Sequence, residues 1–163
     1  MSSLPQPVAG NRRPAFTGPP HAVFPGGGAA IWFTRPAGFV VQLLQPTHGT
    51  AALARFITQE GTDRLLSLAR PGEKLIFVHD LSPLTGYESD ARRILTDKGM
   101  SIRDRVDRLI VIPPPETRKI VLMGLAAASA SLSLIGVRMS MEPSLMMVVA
   151  RLGLVRRDDV EPR

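Results

Sequence analysis

The chain of 163 residues contains no cysteine. This absence excludes a disulfide framework, a thiolate nucleophile, and zinc or iron–sulfur sites built on cysteine. Aromatic residues are also scarce, at 5%, whereas apolar residues as a whole reach 44%. The length suits one domain, and the composition predicts a core made mostly of aliphatic side chains.

Common signatures of catalysis and targeting are missing as well. The sequence has neither a Walker A loop nor a Gly-x-Ser-x-Gly elbow. Its three histidines, His21, His48 and His79, share no metal-ligand spacing, so we expect no metal and no cofactor. The N-terminal stretch "MSSLPQPVAGNRRPAF" lacks the apolar run of a secretory signal, and we therefore expect a cytoplasmic location.

Charge of one sign is only mildly in excess, with a formal net charge of +6. A basic balance is typical of nucleic-acid-binding domains. Here, however, the arginines are scattered and usually stand beside acids, as in "SIRDRVDR". We therefore expect a solvated surface of mixed charge without a specific nucleic-acid partner, and a weak association with anionic membranes is the alternative.

Proline and glycine divide the chain into three parts. Residues 1–28 hold six prolines and five glycines but only two charges, so they predict a flexible N-terminal tail. Residues 29–154 are expected to form the folded domain. Residues 155–163, "VRRDDVEPR", are expected to form a charged C-terminal tail.

Strand-like and helix-like patterns alternate through the domain. The run "AAIWFTRPAGFVVQLLQP" predicts a hairpin of two strands, while "KLIFVHDL" and "DRLIVI" are typical of buried central strands. Helical patterns follow each of these units, and Gly61 weakens the middle of the first helix. The order β-β-α-β-α-β-α-β-α indicates an α/β fold with a mixed, mostly parallel sheet of about five strands, covered by helices.

Residues 120–137 form an uncharged stretch of the length that a membrane span requires. Small residues at its centre, and its place between two strands, favour a crossover helix instead. Both faces of this helix are apolar, so something besides the sheet should cover it. We therefore predict a homodimer or larger assembly. A lipid or small apolar ligand is the alternative, which the Met-rich "MSMEPSLMM" also suits.

The segment "DLSPLTGYESDARRIL" carries the clearest local signal. Thr85-x-x-Glu88 has the spacing of a capping box, which predicts that both side chains cap the following helix. Glu88 and Asp90 would also complement the positive end of the helix dipole. These features all indicate the start of a helix.

The same residues and the order of elements resemble the STAS domain (sulphate transporter and anti-sigma-factor antagonist), especially its SpoIIAA-like, stand-alone bacterial members. The resemblance covers about residues 29–154. Ser89 falls where the antagonists carry a phosphorylatable serine, and Glu88 replaces the aspartate that precedes it. Asp90 and Ala91 depart from the residues that usually follow, and an acid beside the serine would repel an incoming phosphate.

The resemblance implies a non-enzymatic module for signalling and regulation that acts by protein–protein interaction. Its partner, or a kinase, would recognise the turn and the helix after it. The candidate site residues are Thr85, Tyr87, Glu88, Ser89, Asp90 and Arg92. Two alternatives stay open: a lipid or apolar-ligand binder, and, ranked last, a hydrolase or transferase that uses His79, Asp80, Ser82 or Ser89.

Overall fold

In the computed structural model, residues 13–115 and 119–163 are described. They form an α/β domain in which helices cover both faces of a mixed seven-stranded sheet, so the predicted fold class is confirmed. The strands are β1 (Ala22–Val23), β2 (Ala29–Arg35), β3 (Gly38–Leu43), β4 (Thr47–Gly49), β5 (Leu75–Asp80), β6 (Leu84–Tyr87), β7 (Val106–Ile112), β8 (Met139–Met141) and β9 (Val155–Arg156). The α-helices are α1 (Ala51–Phe56), α2 (Arg64–Leu68), α3 (Ser89–Ser101), α4 (Lys119–Leu134) and α5 (Leu145–Leu152).

The main sheet has the order β1-β2-β3-β5-β7-β8, and β9 pairs with β2 as well. β2 and β3 form the predicted antiparallel hairpin, and β3, β5, β7 and β8 then run parallel to one another. Gly38 allows β3 to lie close to β5, because a Cβ atom there would stand 2.0 Å from the carbonyl oxygen of Ile76. β4 and β6 form a separate parallel pair.

The first face of the sheet is covered by α1, α2, α3 and α4. A π-helical segment, Ile57–Asp63, joins α1 to α2, so the helix continues through Gly61. A Cβ atom on Gly61 would lie 2.9 Å from the ring of Phe39, which is fully buried in β3. The missing side chain therefore lets the helix approach the sheet.

The second face is covered by α5 together with the chain that precedes β1. The Phe16 ring lies 6.1 Å from that of Trp32, and the Gln42 side chain bonds to the backbone of Arg13 and Ala15. Within the described residues, the segment 13–28 therefore packs on the sheet, unlike the flexible tail expected for residues 1–28. The carboxamide of Gln42 provides hydrogen-bond partners for the backbone of this segment, which the proline-rich composition does not indicate. Residues 1–12 lie outside the described residues.

The C-terminal segment, expected to be a charged tail, also packs on the domain. β9 extends the sheet beside β2, and the backbone carbonyl of Arg157 lies 2.9 Å from Nε2 of buried His21. Nδ1 of the same ring accepts a hydrogen bond from the backbone N–H of Phe33. The Arg157 guanidinium pairs with Asp159 and lowers the pKa of that carboxyl. The charges of this segment thus form ion pairs with one another and with Arg35 and Glu60, while its backbone joins the sheet.

α4 has one apolar face toward the domain and a second apolar face that is exposed. Leu125, Ala128 and Leu132 face the domain interior, whereas Met123 and Leu134 are 72% and 89% exposed. Among the described helices, none is both long and apolar enough to cross a membrane.

Candidate functional site

The turn after β5 brings the beginnings of two helices together. β4 leads into α1 and β6 leads into α3, and the parallel pairing of β4 with β6 places these helix N-termini side by side. Thr50 caps α1 in the usual way, since its hydroxyl accepts a hydrogen bond from the backbone N–H of Leu53. This end of the domain contains the candidate residues.

The predicted capping box of α3 is wrong. Thr85 belongs to β6, where pairing with β4 turns its hydroxyl toward the carbonyl oxygen of Thr47, to which it donates at 3.2 Å. Glu88 is the residue before α3, but its carboxylate accepts a hydrogen bond from the backbone N–H of Ala51 at 2.8 Å. The carboxylate therefore stabilises the N-terminus of α1, where the helix dipole favours negative charge.

Ser89, Asp90 and Arg92 lie on the surface at the start of α3. Ser89 and Asp90 are the first two helical residues, and Asp90 forms an exposed ion pair with Arg93 at 3.3 Å. All three candidates border an open groove of about 430 Å³ between α3 and α4, called here the α3–α4 groove. Its remaining lining residues are Arg93, Thr96, Asp97, Ala127, Ala128 and Ser131.

A separate, apolar cavity of about 140 Å³ lies beneath this groove, between the sheet and helices α1, α3 and α4. It is called here the His79 cavity, and its lining includes Leu53, Ile57, Leu81, Leu84, Tyr87 and Leu125. Arg92, Thr96 and Ala128 border both the cavity and the groove. The cavity therefore reaches the surface along the seam between α3 and α4.

His79 is the only histidine among the residues that line the cavity. Its ring stacks on that of Phe39, with the centroids 5.8 Å apart and the planes at 24°. Burial lowers the pKa of His79 to about 4, so the imidazole is neutral at pH 7. The sequence favours a hydrogen-bonded core histidine at this position, but the ring has no hydrogen-bond partner among the described residues.

The geometry separates the groups of the catalytic alternative. His79 faces α1, α3 and α4, whereas the alternation of β5 directs Asp80 to the opposite face of the sheet. The Ser82 hydroxyl donates to the Asp80 carboxylate at 2.7 Å, and Ser89 lies on the surface. Within residues 13–115 and 119–163, no cluster of histidine and acidic residues could hold a metal ion.

Sequence reasoning found the surface residues of this site but missed the cavity. The available signal was the set of small residues in α4, Gly124 and Ala126 through Ala128, on a helix that also faces the sheet. Small side chains on an inward face leave volume that their neighbours must fill.

No family model, curated protein or solved structure matches the chain.

Proposed function

We propose that this domain is a non-enzymatic regulatory module of the STAS type, and that it binds a protein partner through the α3–α4 groove. The observation that supports the proposal is the exposure of Ser89 on the rim of that groove, at the first residue of α3. A partner or kinase can reach a side chain in this position without any change in the fold.

The groove combines charge with a small-residue floor. Asp90, Arg92, Arg93 and Asp97 border it on the α3 side, and Ala127 lies on the α4 side. Charges of both signs fix the register of a partner and exclude wrong partners, while small residues allow close approach. Phosphate on Ser89 would add about −1.5 to −2 charges beside Glu88 and Asp90. The added charge should weaken binding of an acidic partner surface.

A charge scan along α3 tests this function. Wild type, Ser89→Glu and Ser89→Ala serve as baits in cell extract, with Ser101→Glu as the matched control at the other end of the same helix. We expect a partner that wild type and Ser101→Glu retain, and that Ser89→Glu loses. Identical partner sets and affinities for all four baits would refute the switch.

Binding of a small apolar ligand is a second candidate, and the His79 cavity supports it. The cavity is lined mostly by apolar side chains, and its lining meets that of the α3–α4 groove at Arg92, Thr96 and Ala128. Sites for small molecules are typically concave, mostly apolar, and supplied with few polar groups. Native mass spectrometry of protein purified from cells tests this function, and a clean apo mass with an empty solvent extract would count against it.

Self-association belongs to the same proposal. Five large apolar side chains on α4, α5 and the edge strand β8 are exposed: Met123, Leu134, Met141, Met146 and Met147. Monomers seldom expose large contiguous apolar patches, and pairing with a second copy of the chain would cover these side chains. Light scattering over a wide concentration range tests this, and a monomer throughout would contradict it.

A further inference from the structure

The His79 cavity offers a hydrogen-bonding position that the described residues leave unused. Its floor carries the neutral imidazole of His79, which has one N–H donor and one nitrogen acceptor. Within the described residues, neither ring nitrogen has a hydrogen-bond partner. A ligand that donates to the ring or accepts from it would therefore add one hydrogen bond.

The volume of the cavity restricts the size of the ligand. At about 140 Å³, it is close to an engineered apolar cavity of about 150 Å³ in another protein, which binds benzene. A single ring of about six to eight non-hydrogen atoms therefore fits. A neighbouring space of about 60 Å³, which His79 also lines, leaves room for a ring substituent.

The walls restrict the charge of the ligand. Among the described residues, no carboxylate lines either cavity, and the cationic side chains are Arg92, at the mouth, and Lys98, beside the smaller space. An ammonium group would therefore meet no opposite charge, and a carboxylate on the floor would lose its hydration beside a neutral imidazole. A hydroxyl group suits the floor, because it can donate to or accept from either tautomer of His79.

We propose that the His79 cavity binds a neutral single-ring molecule with one hydroxyl group, that His79 forms a hydrogen bond with this hydroxyl, and that the ligand enters between α3 and α4. The inference deepens the second function proposed above and rests on it. Entry between α3 and α4 follows from Thr96 and Ala128, which border both the cavity and the open groove.

Three probes of the same size test the inference on the full-length chain: phenol, benzene and benzoate. Affinity is measured from the rise in Tm with probe concentration, and ring contact from the ¹⁵N chemical shifts of the histidine side chains. We expect phenol to bind wild type about tenfold more tightly than benzene, as one net hydrogen bond predicts, and to shift the His79 nitrogens. Benzoate should not bind.

Two variants and one control complete the test. His79→Leu keeps an apolar floor and should bind phenol no better than benzene. Ala128→Leu narrows the mouth and should lose phenol binding. His48→Leu replaces an exposed histidine that lines neither cavity, and it should behave as wild type.

The inference is overturned if wild type binds none of the probes at millimolar concentration, if benzoate binds best, or if His79→Leu keeps the preference for phenol. These readouts need no protein partner. A failure of the cavity therefore leaves the result of the Ser89 charge scan unaffected, and the reverse also holds. Retention of an unrelated cellular ligand in native mass spectra, with no phenol binding, would support the broader function while refuting this ligand class.

Discussion

A fall in pH from 7 to 5 should destabilise the domain through His79. The folded state lowers the pKa of this imidazole from 6.5 to about 4, because burial penalises the charged form. Below pH 6.5 the unfolded chain therefore binds a proton that the folded chain does not. The free energy of unfolding must then decrease as the pH falls, over the window from 6.5 to about 4.

The magnitude follows from the size of the pKa shift. Each unit of difference corresponds to about 1.4 kcal/mol, so His79 should contribute a loss of roughly 2 kcal/mol between pH 7 and pH 5. The loss should level off near 3 kcal/mol once the pH falls below the folded-state pKa. Among the described residues, the other titratable side chains around the two cavities are Tyr87, Arg92 and Lys98, and desolvation of the imidazole is the cause of its shift.

Urea unfolding of wild type and His79→Leu at both pH values provides the assay. The variant removes the titrating group and fills the same position with an apolar side chain, so its stability should vary with pH by about 2 kcal/mol less than that of wild type. Buried His21, whose pKa burial also lowers, is present in both proteins and cancels in the comparison. His48→Leu, at an exposed position, should keep the wild-type dependence. Equal pH dependence in wild type and His79→Leu would refute the reasoning.

Three further substitutions test the local structure, each by the free energy of unfolding in urea. Glu88→Ala should lower the free energy of unfolding by about 1 kcal/mol, because the backbone N–H of Ala51 loses its carboxylate acceptor. If Glu88 were instead a capping residue of α3, the substitution would change the helicity of α3. Thr50→Ala should lower the free energy of unfolding by about 1 kcal/mol, because α1 loses its side-chain cap. An unchanged urea midpoint would contradict that role. Gly61→Ala should destabilise by about 1–3 kcal/mol, because the new methyl group meets the buried ring of Phe39. Helix propensity alone predicts that Gly61→Ala raises the free energy of unfolding by about 1 kcal/mol. The sign of the measured change therefore decides between helix propensity and the clash with Phe39.

The fold class could be predicted from sequence because the pattern of burial is regular. β2, β3 and β5 are continuous apolar runs, and each is followed by turn residues or by a helical pattern. Such runs in alternation with helices leave few other arrangements than a covered, partly parallel sheet. The short strands β4 and β6 were missed, because pairs of three or four residues owe their existence to tertiary contacts.

The ends of the domain were missed for a different reason. Composition indicates how much apolar surface a segment can bury by itself. The composition of residues 13–28 offers too little apolar surface to predict a folded segment. Gln42, however, offers both carboxamide atoms to the backbone of this segment. The His21 ring links the backbone N–H of Phe33 in β2 to the backbone carbonyl of Arg157 near the C-terminus. Such long-range polar contacts leave no periodic signal along the chain.

The capping box failed because the same side chains had a better option in three dimensions. Thr85 and Glu88 have the required spacing, but the pairing of β6 with β4 places the N-terminus of α1 within reach of Glu88. A local motif assumes that the nearest orphan N–H group is the one that follows in sequence. The assumption fails where two helices begin side by side, because an acidic side chain before one helix can accept a hydrogen bond from the first turn of the other.

The segment from β6 to α3 connects the α3–α4 groove at the surface with the His79 cavity in the interior. The Tyr87 side chain points inward, where it lines the His79 cavity and packs so closely on Gly124 that a Cβ atom there would stand 2.1 Å from the phenol oxygen. Two residues later, Ser89 points outward on the rim of the groove. Glu88, between them, is held by α1. The hydrogen bond from the backbone N–H of Ala51 to Glu88 therefore anchors the segment from β6 to α3 at its centre. Arg92, one turn further along α3, borders both spaces, and a molecule in the cavity mouth and a partner in the groove would contact the same side chain.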